Sequence, residues 1–197
     1  MADGVEMERI VDTATRLFAE LGFDGTSLGM VADALGLPHS AIADAVGDKR
    51  RLYLTVMQRA FEAERAALQS AVDSCPQGRA CVHHIADAYL DFHAAHPYIR
   101  ALWAHRWMSD AADILDLEDR YPRPLFRLVA RKIRDVVPEG VNVYYMLGMM
   151  VWTVHGFLGS GVLAQRHGMY RADDPKVLED FRTHLHLMLE GMMAPQR

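Results

Sequence analysis

The sequence predicts an all-α fold: three short N-terminal helices, then a larger helical part, about nine helices in all. Two observations carry this. Apolar residues recur at the 3.6-residue period of amphipathic helices along most of the chain. No segment shows the apolar–polar alternation bounded by hairpin turn residues that strands require, and there is no internal repeat or low-complexity tract.

In order, Ile10, Val11, Ala14, Leu17, Phe18 and Leu21 define the inner face of a first helix. Asp3 and Glu6 are placed as its capping box and Gly22 as its left-handed stop. A second helix starts at Thr26-Ser27, carries Leu28, Val31, Ala32 and Leu35 on one face, and ends at Gly36. A third spans about Pro38 to Val46, with Pro38 near its first position and Gly47 closing it. Asp48 caps a long fourth helix running to about Ser74, which Cys75-Pro76-Gln77-Gly78 breaks. Later helices are expected near 79–95, 97–116, 119–137, 141–167 and 174–193. The breaks between them fall at His96-Pro97, Asp116 to Asp119, Pro138-Glu139-Gly140 and Gly168 to Pro175.

At 197 residues, 51% hydrophobic and 24% charged, the composition is that of a globular protein and excludes disordered or collagen-like chains. No run approaches the roughly 20 apolar residues of a membrane span. The acidic start MADGVEMERIVD is unlike a signal peptide. Cys75 and Cys81 are too few for a disulfide framework, so a reduced, cytoplasmic protein is expected. The net charge of −5 argues mildly against a generic polyanion binder. Locally, residues 1–47 carry eight acids against Arg9 and Arg16, whereas Asp48 to Arg65 is net basic.

Within residues 28–47, Ala32, Gly36 and Ile42 stand four and then six residues apart. A helix-turn-helix needs a small residue where its helices cross, a glycine able to take positive φ in the turn, and an apolar anchor on the second helix. These three residues supply them in order. The run ERIVDTATRLFAELGFDGTSLGMVADALGLPHSAIADAVGDKRRLYLTVM also resembles the N-terminal domain of TetR-family (tetracycline-repressor-like) transcription regulators. The resemblance lies in the pattern from Ala14 to Phe23, Thr26-Ser27, Val31-Ala32, Leu35-Gly36-Leu37, Ile42, Gly47, Lys49 and Leu52.

That resemblance implies a DNA-binding domain at residues 1–48 and a ligand-binding and dimerisation domain at 49–197. It implies that Thr26 and Ser27 approach phosphates and that residues 37–44 (Leu37, Pro38, His39, Ser40, Ala41, Ala43 and Asp44 among them) enter the major groove. Lys49 would reach the phosphate backbone. The implied function is a homodimeric repressor of a double-stranded, palindromic operator, released by a small apolar or aromatic effector. The chain departs from the family where a Ser-Lys pair and a Tyr/His-rich segment are usual. It reads His39-Ser40 and Ala43-Asp44-Ala45-Val46 instead. Asp44 brings a carboxylate toward phosphates or base edges, where it could accept only from a cytosine amino group. The alternative reading is therefore a small-molecule-binding protein of the same fold that has lost operator binding and acts through protein partners.

In the C-terminal part, Tyr145, Gly148, Met149, Gly156, Gly159 and Leu163 share one face of the 141–167 segment. Leu178, Phe181, Leu185, Met188 and Met192 keep a 3/4 spacing in the last helix. Together they are the expected dimer interface. Tyr89, Phe92, His93, Trp103, Trp107, Tyr121, Phe126, Trp152 and His155 are the candidate effector contacts, with the histidines, His105 included, as polar anchors. His83, His84, Asp87 and Asp91 share a helix face, but a solvated face explains them better than a metal site. HExxH, CxxC and GxSxG are all absent, so neither a cofactor nor enzymatic activity is expected.

Overall fold

The computed structural model describes residues 2–194, with side chains from residue 6 onward. Among these the chain is all-α apart from one two-stranded hairpin: α1 (Ala2–Gly25), α2 (Leu28–Leu35), α3 (His39–Val46), α4 (Lys49–Ser74), α5 (Ala80–Ala95), α6 (Pro97–Trp107), α7 (Leu117–Arg120), α8 (Pro122–Ile133), α9 (Val143–Ser160), β1 (Val162–Leu163), β2 (Met169–Tyr170) and α10 (Pro175–Met192). The Asp3 side chain of the expected capping box lies outside the described residues.

Local chemistry explains most boundaries. Gly22 takes φ 75°, ψ 173° and kinks α1, which continues for one more turn. The Ser27 hydroxyl accepts from Met30 N and caps α2. Gly36, at φ 67° and ψ 30°, ends α2 in a Schellman motif in which Leu37 N donates to Ala32 O. Asp48 accepts from Arg51 N at 2.7 Å to start α4, Asn142 caps α9, and Asp174 caps α10.

Several expected long helices are divided. The 97–116 helix stops at Trp107 because Ser109, Ala111 and Asp116 all adopt positive φ. The 119–137 helix restarts at Pro122, whose ring fits a first turn but no helix interior. The 141–167 helix ends at Ser160, where Gly161 has φ 72°. The chain then forms an antiparallel ladder pairing Val162 with Tyr170 and Leu163 with Met169. Leu21, expected inside, is 45% exposed. Cys75 and Cys81 form a disulfide across the α4–α5 break, contrary to the reduced pair expected from composition.

The chain divides into two compact units. One comprises the chain to Ala63 together with His96–Leu117; the other comprises Glu64–Ala95 together with the chain from Glu118 onward. In the first, Ile10, Val11, Ala14 and Phe18 of α1 and Val31, Ala32, Ile42, Leu52, Tyr53, Val56 and Met57 are buried. Tyr53 meets Phe18 edge-on at 5.1 Å and Phe23 at 4.9 Å, packing α4 on the end of α1. Helix α6 packs along α1. In the second unit, α5, α8, α9 and α10 pack on one another around Ile85, Tyr89, Leu90, Val129, Ile133, Met150, Val154, Leu185 and Leu189.

Candidate nucleic-acid interface and helical-core site

Helices α2 and α3 form the helix-turn-helix. Ala32 is 2% exposed and Ile42 is fully buried, so the helices cross where the small residue and the anchor were expected. With Ile42 and Val46 turned inward, α3 presents His39, Ser40, Ala41, Asp44 and Ala45 outward, and Ala43 is half-buried. Ser40 and Asp44 lie one turn apart on the same face. Leu37 is half-buried, and Pro38 is exposed at the turn. The outward face is small and polar, with one carboxylate and no cation. The exposed bases nearest in sequence are Arg50 and Arg51, in the first turn of α4.

Two residues expected at phosphates are engaged elsewhere. The Thr26 hydroxyl, 3% exposed, donates to Gly22 O at 2.7 Å, while its neighbour Ser27 stays exposed. The Lys49 ammonium donates to Phe23 O at 2.9 Å and sits 4.2 Å from the centre of the Phe23 ring, a hydrogen bond reinforced by a cation–π contact. Thr26 ties the Gly22–Ser27 turn to α1, and Lys49 holds it against α4.

A third fastening was not anticipated. The Asp110 carboxylate, from the segment after α6, accepts from Phe23 N at 2.6 Å and Asp24 N at 2.9 Å. Arg106 in turn donates to the carbonyls of Asp110 and Ala111, and the His105 imidazole lies 3.0 Å from Ala19 O. The sequence carries no local signal for this, because the partners stand 86 and 87 residues apart. The positive φ of Gly22 frees the two N–H groups that Asp110 caps.

Of the candidate effector contacts, Tyr89, Phe92, His93 and His155 come together in the second unit. The Tyr89 hydroxyl lies 2.9 Å from His155 Nε2, and the His93 ring is 4.4 Å from that of Tyr89 and 4.5 Å from that of His155. Glu64, 5% exposed, brings Oε1 to 3.5 Å from His93 Nε2. Burial first, and then the charge of Glu64, push the Tyr89 phenol well above its ordinary pKa. Neither His93 nitrogen makes a hydrogen bond, although the side chain is fully buried. An imidazole in that state is costly unless something arrives to satisfy it. Glu64 was legible in the sequence as an acid interrupting the stripe Met57, Ala60, Leu68, Ala71, all of which are buried.

The other candidates scatter. Tyr121 is buried in the second unit, and half-buried Phe126 stacks on Tyr144 at 6.2 Å. Trp103 and Trp107 belong to the first unit, the former buried and the latter half-buried. Trp152 is 61% exposed on α9. There it joins Tyr145, Met149, Gly156 and Gly159 in an outward apolar stripe, beside half-buried Gly148. On α10, Leu185 turns into its own core; Leu178, Phe181, Met188 and Met192 are half-buried. Leu163, 83% exposed, lines a groove of about 840 Å³ with Phe157, Tyr170 and Phe181, which none of the candidate effector contacts lines.

The remaining polar face of α5 is a clamp to α10. Arg182 bridges Asp87, Asp91 and Glu179; His186 lies 2.8 Å from Asp87, and His83 lies 3.1 Å from Glu190. Although burial works against it, the hydrogen bonds that Arg182 donates to Asp91 and Asp87, and the charges of those carboxylates, hold its guanidinium above its usual pKa. Among the described residues no three His, Cys, Asp or Glu side chains are placed so that they could hold a metal ion.

Comparison with known proteins agrees with this geometry. Residues 10–56 match the family described as bacterial regulatory proteins, tetR family. A curated relative, the uncharacterized HTH-type transcriptional regulator YezE of Bacillus subtilis, is 29% identical over 65 residues, which is 33% of this chain and 34% of that protein. Among solved structures, PfmR, a TetR family transcriptional regulator of Thermus thermophilus, aligns with TM-score 0.64 and 21% identity over 94% of this chain and all of that one. The fatty acid degradation regulator FadR of Bacillus halodurans aligns with TM-score 0.67 and 14% identity, covering 98% and 96% of the two chains. A tetR family protein of Rhodococcus RHA1 aligns with TM-score 0.69 and 16% identity, covering 97% and 98%. At these identities the structures show the fold. Residues 10–56 thus match the N-terminal domain described for the tetR family of bacterial regulatory proteins, and over nearly its whole length the chain shares the fold of solved structures named as transcription regulators of that family.

Proposed function

We propose that the chain is a DNA-binding transcription regulator, acting as a homodimeric repressor that a small apolar or aromatic effector releases from its operator. The observation that carries this reading is the α2–α3 pair. It has a left-handed glycine turn and buried crossing residues, and one uncovered α3 face of the length that fits a major groove. Residues 1–48 would read DNA through His39, Ser40, Ala41, Ala43 and Asp44. Ser27 and the start of α2 would meet phosphate, and Thr26 and Lys49 would hold that turn in place. Residues 49–197 would bind the effector and dimerise, although His96–Leu117 compacts with the reading head.

The uncovered stripe of Tyr145, Met149, Trp152, Gly156 and Gly159 supports pairing with a second copy, since monomers rarely leave so many large apolar groups in one patch. Two half-sites about 34 Å apart would need such a dimer. The effector's polar end would satisfy His93 beside Glu64, Tyr89 and His155. Effector binding would favour a geometry in which the reading heads no longer match the half-site spacing, with α4 common to both units as the mechanical element.

The test is DNA binding at two salt concentrations, using fragments from around the protein's own gene against excess random competitor. A fragment retained under competition supports the reading. A folded dimer that retains no fragment, even from a whole-genome pool, refutes it and leaves the alternative of a reader that no longer reads. One observation favours that alternative: Asp44 stands exposed on a face without a cation, while Lys49 is engaged with Phe23. Under it, Asp44→Tyr strengthens non-specific binding and alters the salt dependence.

A further inference from the structure

Residues 120–134 contain Arg120, Arg123, Arg127, Arg131, Lys132 and Arg134 and no acid, in a chain whose net charge is −5. Leu125, Val129, Ala130 and Ile133 of α8 are buried, so the bases project from the opposite side. Arg123 is neutralised by Asp119 one turn away. Arg127, Arg131 and Arg134 have no carboxylate within ion-pair distance among the described residues. Their i, i+4, i+7 spacing sets the three guanidiniums along one helix face, where like charges destabilise the helix unless something compensates them.

These arginines line a groove of about 540 Å³ between α8 and the start of α9. Pro124, Ala130, Val143 and Tyr144 complete it. The Arg131 guanidinium is steadied along the helix, its Nε donating to Arg127 O at 3.2 Å. Tyr144, 46% exposed, stands at the groove with its ring stacked at 20° on Phe126.

A concave site of this size suits a small molecule. Three guanidiniums exceed what a single carboxylate can use, and their planar forks match phosphoryl oxygens. The apolar groove lining and the tyrosine ring call for a flat aromatic group beside those charges. We propose that this groove binds a nucleoside polyphosphate, with its phosphates on Arg127, Arg131 and Arg134 and its base on Tyr144. The site is independent of the operator-binding reading and stands whether or not the reading head binds DNA.

The experiment is calorimetric titration of the full chain at about 0.15 M salt. The probes are ATP, ADP, AMP, adenosine, inorganic tripolyphosphate and a random DNA duplex. Saturable ATP binding tighter than about 1 mM is expected, weakening from ATP to ADP to AMP. Arg131→Gln weakens ATP by about tenfold or more, the loss of one bidentate charged contact. Arg123→Gln, which removes an arginine already paired, leaves it unchanged. Tyr144→Leu weakens ATP but not tripolyphosphate. Both altered groove side chains are exposed, and unchanged melting of the variants confirms their fold.

Absence of saturation, or an Arg131→Gln variant that binds as the parent does, overturns the site. Tripolyphosphate binding as tightly as ATP, with Tyr144→Leu neutral for both, overturns the nucleotide assignment in favour of an inorganic polyphosphate. A duplex that displaces ATP and loses affinity in Arg131→Gln overturns it in favour of a nucleic-acid surface.

Discussion

Removing the Asp110 carboxylate tests whether the segment after α6 holds the turn that leads into the helix-turn-helix. Asp110 accepts two backbone N–H bonds, a part-buried one from Phe23 and an exposed one from Asp24. Hydrogen bonds to a charged acceptor contribute about 1.5–3 kcal/mol where water cannot replace them, and much less where it can. In Asp110→Ala the Phe23 N–H loses most of that, while the Asp24 N–H is rehydrated. The expected destabilisation is about 2 kcal/mol, read as a melting decrease of roughly 4–8 °C in a chain of this size. Asp110→Asn keeps one acceptor but turns an amide donor toward the second N–H, so at least half the effect remains.

Gly22 supplies the decisive control. Its φ of +75° and ψ of 173° belong to glycine, and an added Cβ would stand 2.9 Å from Asp110 Oδ1. Gly22→Ala therefore costs about 1–3 kcal/mol in backbone strain, plus the clash. In an Asp110→Ala background the clash disappears while the strain stays. The double-mutant cycle should then show a coupling of about 1 kcal/mol. Chemical denaturation of the four proteins measures it. An Asp110→Ala variant within about 0.5 kcal/mol of the parent, or a strictly additive cycle, refutes the reasoning.

Three further outcomes are expected. Trp152→Asp places a charge in the exposed α9 stripe and should shift a dimer to monomer in sedimentation without lowering helix content; an unchanged dimer removes α9 from the interface. Reducing Cys75–Cys81 opens a ring of sequence separation 6 and should cost about 2 kcal/mol on the loop-entropy account, seen as a lower melting temperature with reductant that Cys75→Ser already shows without it. Tyr89 has its pKa raised by burial and Glu64, so above its ordinary pKa near 10 the unfolded chain loses this proton while the folded chain keeps it, and stability falls as pH rises. Tyr89→Phe should flatten that alkaline loss in denaturation curves taken across the range, and a parent and variant with parallel alkaline limbs would contradict the buried phenol.

The sequence alone determined the class of the fold and the helix-turn-helix, because both rest on local signals. The stripe from Ile10 to Phe18, the Ser27 cap, the Gly36 turn and the Ala32/Ile42 crossing are all set within a few residues of chain, and local propensity and packing agree there. Helix ends were less legible. Nothing in composition foretells positive φ at Ser109, Ala111 and Asp116, three non-glycine positions held by surrounding structure. Local periodicity also could not say which cations stay at the surface. Lys49 reads as a phosphate contact until the fold brings Phe23 beneath it. Tertiary structure alone decided the polar couplings: Asp110 with the α1 turn, Glu64 with His93, and Arg182 with Asp87 and Asp91. The physical reason is the same in each case. Apolar burial follows the helical period and can be read along one helix, whereas a polar pairing needs two specific groups whose separation in space only the folded chain sets.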